Sequence, residues 1–314
     1  MRQALAAMAF VALSACGGGG GSPTTTTPPV SSPATPAVSG WPAGTTVQFV
    51  HGETGQPVQG SLIVGGVTLP AGTPLASAAA NGATVDAVVP GFLPRQTLVR
   101  TGETQLVLWP DSARLPGDYT RSLVYTVGVT NGVEALTPMR RLPTSVRRVA
   151  VVLSSQLQND APTVEAHREA IDGLNGAIAP LGLTFQLGGT ADFTVPAVLD
   201  PSAETCSDRS IRAFASVWLS SGYEITRAEV TYCGGGFAVP GTIAHELGHT
   251  TGLRHSLDPN DMMFGQARSR STSPTSREVL ALSLMRARRA GTVWPDNDRV
   301  ATAPASLRVE TVLD

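Results

Sequence analysis

Short runs in which apolar and polar residues alternate fill the chain from residue 41 to about residue 111. Longer and more continuously apolar runs fill its second half. Residues 46–50 alternate, residues 52–57 turn, and further runs follow at 61–64, 84–89, 96–100 and 105–109, each bounded by Gly or Pro. Half-buried strands joined by turns give this pattern, and the spacing predicts a small β-sandwich over residues 41–111. Residues 112–145 have no settled period. A strand is predicted at 122–129, and the segment either closes the sandwich, precedes the next domain or opens it. From residue 146 the rhythm changes. The run 148–154 predicts a buried strand, and 163–179 puts Val164, Ile171, Leu174 and Ile178 on one helical face. Strands are predicted at 183–187, 211–219 and 225–232. A helix is predicted from Pro240, where the missing N–H of proline does no harm. A last helix is predicted over 276–289, opened by Thr275 and Glu278 as a capping box. This order predicts an α+β domain, a mixed sheet plus helices, over residues 146–292, with a C-terminal tail at 293–314.

A length of 314 residues suits two modest domains and some unstructured chain. A hydrophobic share of 42% against 15% charged residues supports a real core, and a net charge of -2 gives no reason to expect a nucleic-acid partner.

The first fifteen residues read as a secretory signal: Arg2, an apolar stretch over 5–13 too short for a bilayer, then Leu13-Ser14-Ala15-Cys16. That tetrad resembles the lipobox of bacterial lipoproteins, in which the cysteine becomes the lipidated first residue. Residues 16–40 are Gly, Ser, Thr and Pro with almost nothing to bury, which suits a tether. The resemblance implies a protein of the bacterial cell envelope, attached to the membrane by a lipid anchor at Cys16. Gly17 rather than Asp after the cysteine points, by the same resemblance, to the outer membrane. Cys206 and Cys233 then form an even pair in an exported chain, so a disulfide is expected over two free thiols.

Candidate chemistry lies in residues 245–255, His-Glu-Leu-Gly-His-Thr-Thr-Gly-Leu-Arg-His, which hold three of the chain's five histidines. His245 and His249 lie one helical turn apart on one face, so their imidazoles can converge on a cation. Gly252 permits the positive φ with which a helix stops and swings away, and the swing returns His255 as a third nitrogen ligand. Three protein ligands leave a fourth zinc position for water. Glu246 lies about 100° around the helix from His245. It is a poor ligand there but is placed to act as general base and acid.

These residues resemble the metzincin clan of zinc peptidases, and Ser256 after the third histidine resembles its matrixin branch. The resemblance implies one catalytic Zn²⁺ and a methionine turn beneath it. Asp261-Met262-Met263-Phe264 fits that turn, with Met263 as its floor and Met262 as the rival. Gly265 stands where some metzincins carry a tyrosine ligand, so none is expected. A structural Ca²⁺ is not indicated. Residues 53–58 together with Gly91-Phe92 resemble carboxypeptidase-regulatory-like and prealbumin-type sandwiches. The expected function is a zinc-dependent endopeptidase acting on extracytoplasmic proteins or peptides. The alternative is a catalytically silent, zinc-stabilised adhesin or protein-binding lipoprotein. His51 and His167 are expected at the polar surface, and Arg286, Arg288 and Arg289 as a solvated helix end. The glycines at 234–236 are expected to pass near the cleft, and Arg268 and Arg270 to flank it.

Overall fold

The alternating runs before residue 111 become nine short strands: β1 (Gly40–Trp41), β2 (Gln48–His51), β3 (Pro57–Val58), β4 (Ser61–Val64), β5 (Val67–Pro70), β6 (Ala79–Ala80), β7 (Thr84–Val88), β8 (Arg95–Leu98) and β9 (Gln105–Leu108). They form a three-stranded sheet β3-β2-β9, a four-stranded sheet β5-β4-β7-β8 and a β1-β6 pair. Every second residue turns inward, and Val47, Phe49, Leu62, Val85, Val99 and Leu108 meet in one apolar cluster. Burying a side chain such as Leu62 contributes about 2 kcal/mol. The computed structural model describes residues 40–130, 133–208, 210–234, 236–265, 271–299 and 307–312. The signal, Cys16 and the rest of the tether before residue 40 lie outside the described residues, as do Gly235, Arg268 and Arg270.

The connecting segment differs from expectation. It holds α1 (Gly117–Thr120), then a five-residue π-helical turn, Arg121–Tyr125, and only then a strand, β10 (Thr126–Thr130), paired with β11 (Val133–Leu136). A strand through 122–125 would send Val124 to the face opposite Leu123 and Tyr125. The wide turn buries all three.

The second half contains β12 (Arg148–Leu153), α2 (Ser155–Gln158), α3 (Ala161–Ile178), β13 (Thr184–Leu187), β14 (Phe193–Leu199), β15 (Ala213–Leu219), β16 (Ile225–Tyr232), α4 (Pro240–Thr250), α5 (Ser276–Ala287) and β17 (Leu307–Val312). Its six-stranded sheet runs β13-β12-β14-β16-β15-β17. β12, β13, β14 and β16 are parallel, while β15 runs antiparallel to both β16 and β17. The architecture is mixed α+β. β14 was not expected, because Pro196 interrupts its run.

α3 is set by its own sequence. Asp160 caps it by accepting from the Thr163 N–H at 3.1 Å, Pro162 sits in its first turn, and Ala166, Ala170, Ile171, Leu174 and Ile178 form its buried stripe. α3 and α4 pack on each other, and α4 also packs on β15 and β16. Cys206 and Cys233 form a disulfide. Among the described residues no helix is long and apolar enough to cross a membrane.

Residues 293–299, expected as the start of a tail, form a half-buried clip around the buried Asp296. Asp296 accepts from Arg95 at 3.0 Å and from Arg288 at 2.8 Å, and Asp298 accepts from Arg95 at 2.7 Å. The backbone bonds Gln96 N–H to Asp296 O (2.9 Å) and Asp298 N–H to Gln96 O (3.1 Å) lay the segment along β8. Arg288 is therefore not a solvated helix end: it is 4% exposed because a carboxylate 8 residues later neutralises it.

Candidate metal centre

Helix α4 places His245 and His249 one turn apart, and their Nε2 atoms stand 3.0 Å from each other. The helix ends where Gly252 takes φ +110°, a conformation that L side chains rarely adopt. A Cβ there would also lie 2.2 Å from the carbonyl oxygen of Arg140, so the residue must be glycine on two counts. After this turn the chain brings His255 back. Its ring centroid lies 5.3 Å from that of His245 and 4.9 Å from that of His249. One ligand atom from each of the three residues falls within 4.8 Å of the others.

The second nitrogen of each helical imidazole is committed. Nδ1 of His245 lies 2.8 Å from the carbonyl of Met262, and Nδ1 of His249 lies 2.9 Å from that of Leu253. A carbonyl only accepts, so both Nδ1 atoms carry the proton and both Nε2 atoms keep a lone pair. Burial, and secondarily His255, pushes the His245 pKa down to about 3. Burial and the two neighbouring imidazoles hold His249 well below the ordinary range. The rings are therefore neutral donors at neutral pH. Three converging imidazoles, two with fixed tautomer and orientation, fit a zinc ion.

Glu246 is fully buried, and burial raises its pKa well above the ordinary carboxylate value. It faces the backbone N–H of Ala215 in β15, yet neither carboxylate oxygen completes a hydrogen bond of normal geometry.

The loop beneath the histidines is fastened from several sides. A Cβ on Gly248 would meet Met263 Sδ at 2.3 Å, so the methionine lies directly against the α4 backbone. Met262 contributes its carbonyl, which orients His245. Ser256 donates its N–H to the Met263 carbonyl at 2.7 Å and its hydroxyl to Asp261. Asp261 also accepts from Tyr119 Oη at 2.7 Å and from Thr275 Oγ1 at 2.8 Å. Gly265 keeps space beside the His255 ring, which a Cβ would approach to 3.1 Å.

Sequence reasoning missed two contributors. Glu278, recognised only as a cap of α5, accepts the N–H of Met263 at 2.7 Å and of Met262 at 3.3 Å as well as that of Thr275 at 2.6 Å. Burial raises its pKa to about 7, against the lowering effect of the Thr275 and Met263 N–H groups. The segment 117–125 was also missed. Ser122 Oγ donates to the His255 carbonyl at 3.0 Å, and the Leu123 carbonyl accepts from the Arg254 N–H at 2.8 Å. The strand expected at 122–129 carried no sign of a contact with the histidines. His167 also departs from expectation. It is fully buried, with Nε2 3.0 Å from Tyr232 Oη and Nδ1 2.8 Å from the Thr163 carbonyl, because it lies on the inner face of α3. His51 is half-buried and stacks edge-on against Phe92.

No protein-family model matches this chain, and no curated protein matches it. The solved structures that resemble it include two proteases. One is high choriolytic enzyme 1, a hatching-enzyme zinc protease of the medaka fish Oryzias latipes, with a TM-score of 0.28 and 14% identity over 52% of this chain and 87% of that one. The other is metalloproteinase-II of Bacteroides fragilis, with a TM-score of 0.29 and 12% identity over 76% of this chain and 84% of that one. Both are zinc-protease or metalloproteinase structures by their titles, but at these scores the likeness carries no argument about this chain.

Proposed function

We propose that this chain is a zinc-dependent endopeptidase of the metzincin type, matrixin-like in Ser256, which cleaves extracytoplasmic proteins or peptides. One observation carries the reading: three imidazoles converge, two of them neutral and locked by backbone carbonyls, and a buried carboxyl that completes no hydrogen bond of normal geometry lies on the helix that carries those two. His245, His249 and His255 would hold zinc, which supplies Lewis acidity to water and to a carbonyl oxygen. Glu246 takes a proton from water and delivers it to the leaving amine. Met263 and Glu278 keep the floor of the site in place. The lipobox-like Cys16 supports a lipid-anchored location in the bacterial envelope, at the outer membrane, with the sheets of residues 41–111 as a sandwich-type accessory domain.

The test is digestion of a peptide library by the zinc-loaded full chain, its Glu246→Gln variant and a chelated sample. Metal content is measured alongside. The expected result is cleavage by the first alone, a loss of about 10²- to 10⁴-fold on substitution, and one zinc per chain in both loaded proteins. A loaded protein that cleaves nothing would make the silent-binder alternative the better reading.

A further inference from the structure

β15 is antiparallel to the strands it follows and has α4 packed against it. It would be the outer edge of the six-stranded sheet if β17 were absent. An open edge beside a peptide-cleaving centre is a template for an extended chain, because its free N–H and C=O groups pair with any backbone. Here the edge is taken. β17 pairs along β15 from its second residue to its last, with Phe214 opposite Val312, Ala215 opposite Thr311, Ser216 opposite Glu310, Val217 opposite Val309, Trp218 opposite Arg308 and Leu219 opposite Leu307. Ala215 is the residue whose N–H faces Glu246. The C-terminal strand therefore pairs with β15 at the residue that Glu246 faces.

The strand is also anchored. The clip at 293–299 is held by Arg95, Arg100 and Arg288 through Asp296 and Asp298, and Arg299 pairs with Asp86. Only the seven residues 300–306 separate this anchor from β17. A tether that short puts the strand at an effective concentration on the order of millimolar at its edge, above what a dilute peptide reaches.

We infer that Leu307–Val312 is an in-chain competitor for the edge of β15, so that an extended polypeptide pairs beside the metal centre only when β17 has left. This rests on the peptidase reading, since it assigns the vacated edge to substrate. Sequence specificity at an edge is weak, so the natural displacing partner would be an unfolded segment and not a folded surface.

The probe is the fluorescein-labelled peptide Leu-Arg-Val-Glu-Thr-Val, the sequence of β17 itself. Its binding is read by anisotropy against the zinc-loaded full chain and a zinc-loaded chain ending at Arg299, both carrying Glu246→Gln. Cleavage of fluorescein-casein is read with the same pair carrying Glu246. Shortening should tighten peptide binding at least about 10-fold and raise casein cleavage by a similar factor, and unlabelled peptide should inhibit the shortened enzyme. Where the shortened chain does not fold, the full chain with Val309→Pro and Glu310→Pro serves instead, since proline cannot donate to the ladder. Equal peptide binding by the two chains, no binding by either, or measurable casein cleavage that shortening leaves unchanged overturns the inference. Tighter binding with no casein cleavage by any protein leaves β17 as a displaceable strand and counts against the peptidase reading alone.

Discussion

The metal-centre region and the two-sheet region before residue 111 bury their polar groups differently. Around α4 the buried residues include His245, Glu246, His249, Thr250, Thr251, Arg254, Ser256, Asp261 and Glu278. Between residues 40 and 111 the buried polar residues are Arg95 and Thr97 alone, and both touch the clip: Arg95 pairs with Asp296 and Asp298, and Thr97 hydrogen-bonds to Asp298. A buried polar group costs free energy unless it is paired. The first region therefore spends stability on chemistry, and the second spends it only where it grips the C-terminal segment.

The comparison can be broken most directly at Gly252. Gly252→Val puts a β-branched side chain at φ +110° against the Arg140 carbonyl. The expected cost is on the order of 4 kcal/mol or more, with loss of stoichiometric zinc, read by thermal melting and metal analysis. Asp296→Ala leaves Arg95 and Arg288 buried without that carboxylate and is expected to cost about 3–5 kcal/mol. Zinc affinity should not change. A parallel fall in zinc affinity would show that the two regions are not energetically separate. Glu278→Ala strips the acceptor from the Met262 and Met263 N–H groups. The expected cost is about 2–3 kcal/mol, with zinc affinity about 10-fold weaker in a chelator competition, because the Met262 carbonyl orients His245.

A finer test uses pH. Burial works against the Asp298 carboxylate, but Arg95, Thr97 and Arg100 together hold its pKa below the ordinary 3.8. A depressed carboxylate stabilises the fold above its unfolded pKa, and that contribution is lost as pH falls through the folded value. The stability gap between the natural chain and Asp298→Asn should thus be full at pH 6 and shrink below about pH 4. The smallest effect is expected for Arg168→Ala. Its pair with Glu165 is exposed on both sides, and loss of about 0.5 kcal/mol or less in a denaturant melt is expected.

How much of this was legible in the sequence follows from the range of the interactions. His245, Glu246, His249, Gly252 and His255 sit within eleven residues; helical periodicity puts His245 and His249 on one face, and the glycine signals the turn that returns His255. The cap of α5 was equally readable, because Thr275 and Glu278 are three apart. The same Glu278 also holds Met262 and Met263, 16 and 15 residues away, and no local pattern announces that. Arg95 and Asp296 are 201 residues apart, and β15 meets β17 across about half that distance in sequence. His167 was misjudged by its residue type: it lies three after Val164 and four before Ile171, on the face of α3 that turns inward, and there it meets Tyr232.

The contact between Gly248 and Met263 has a consequence for oxidative damage. The thioether is fully buried and lies against the helix backbone with no room for a further heavy atom. Peroxide can add oxygen to that sulfur only after the loop and the helix have parted. The rate at which Met263 becomes sulfoxide is therefore a clock for the opening of the floor beneath the three histidines, one that a bound metal ion should slow.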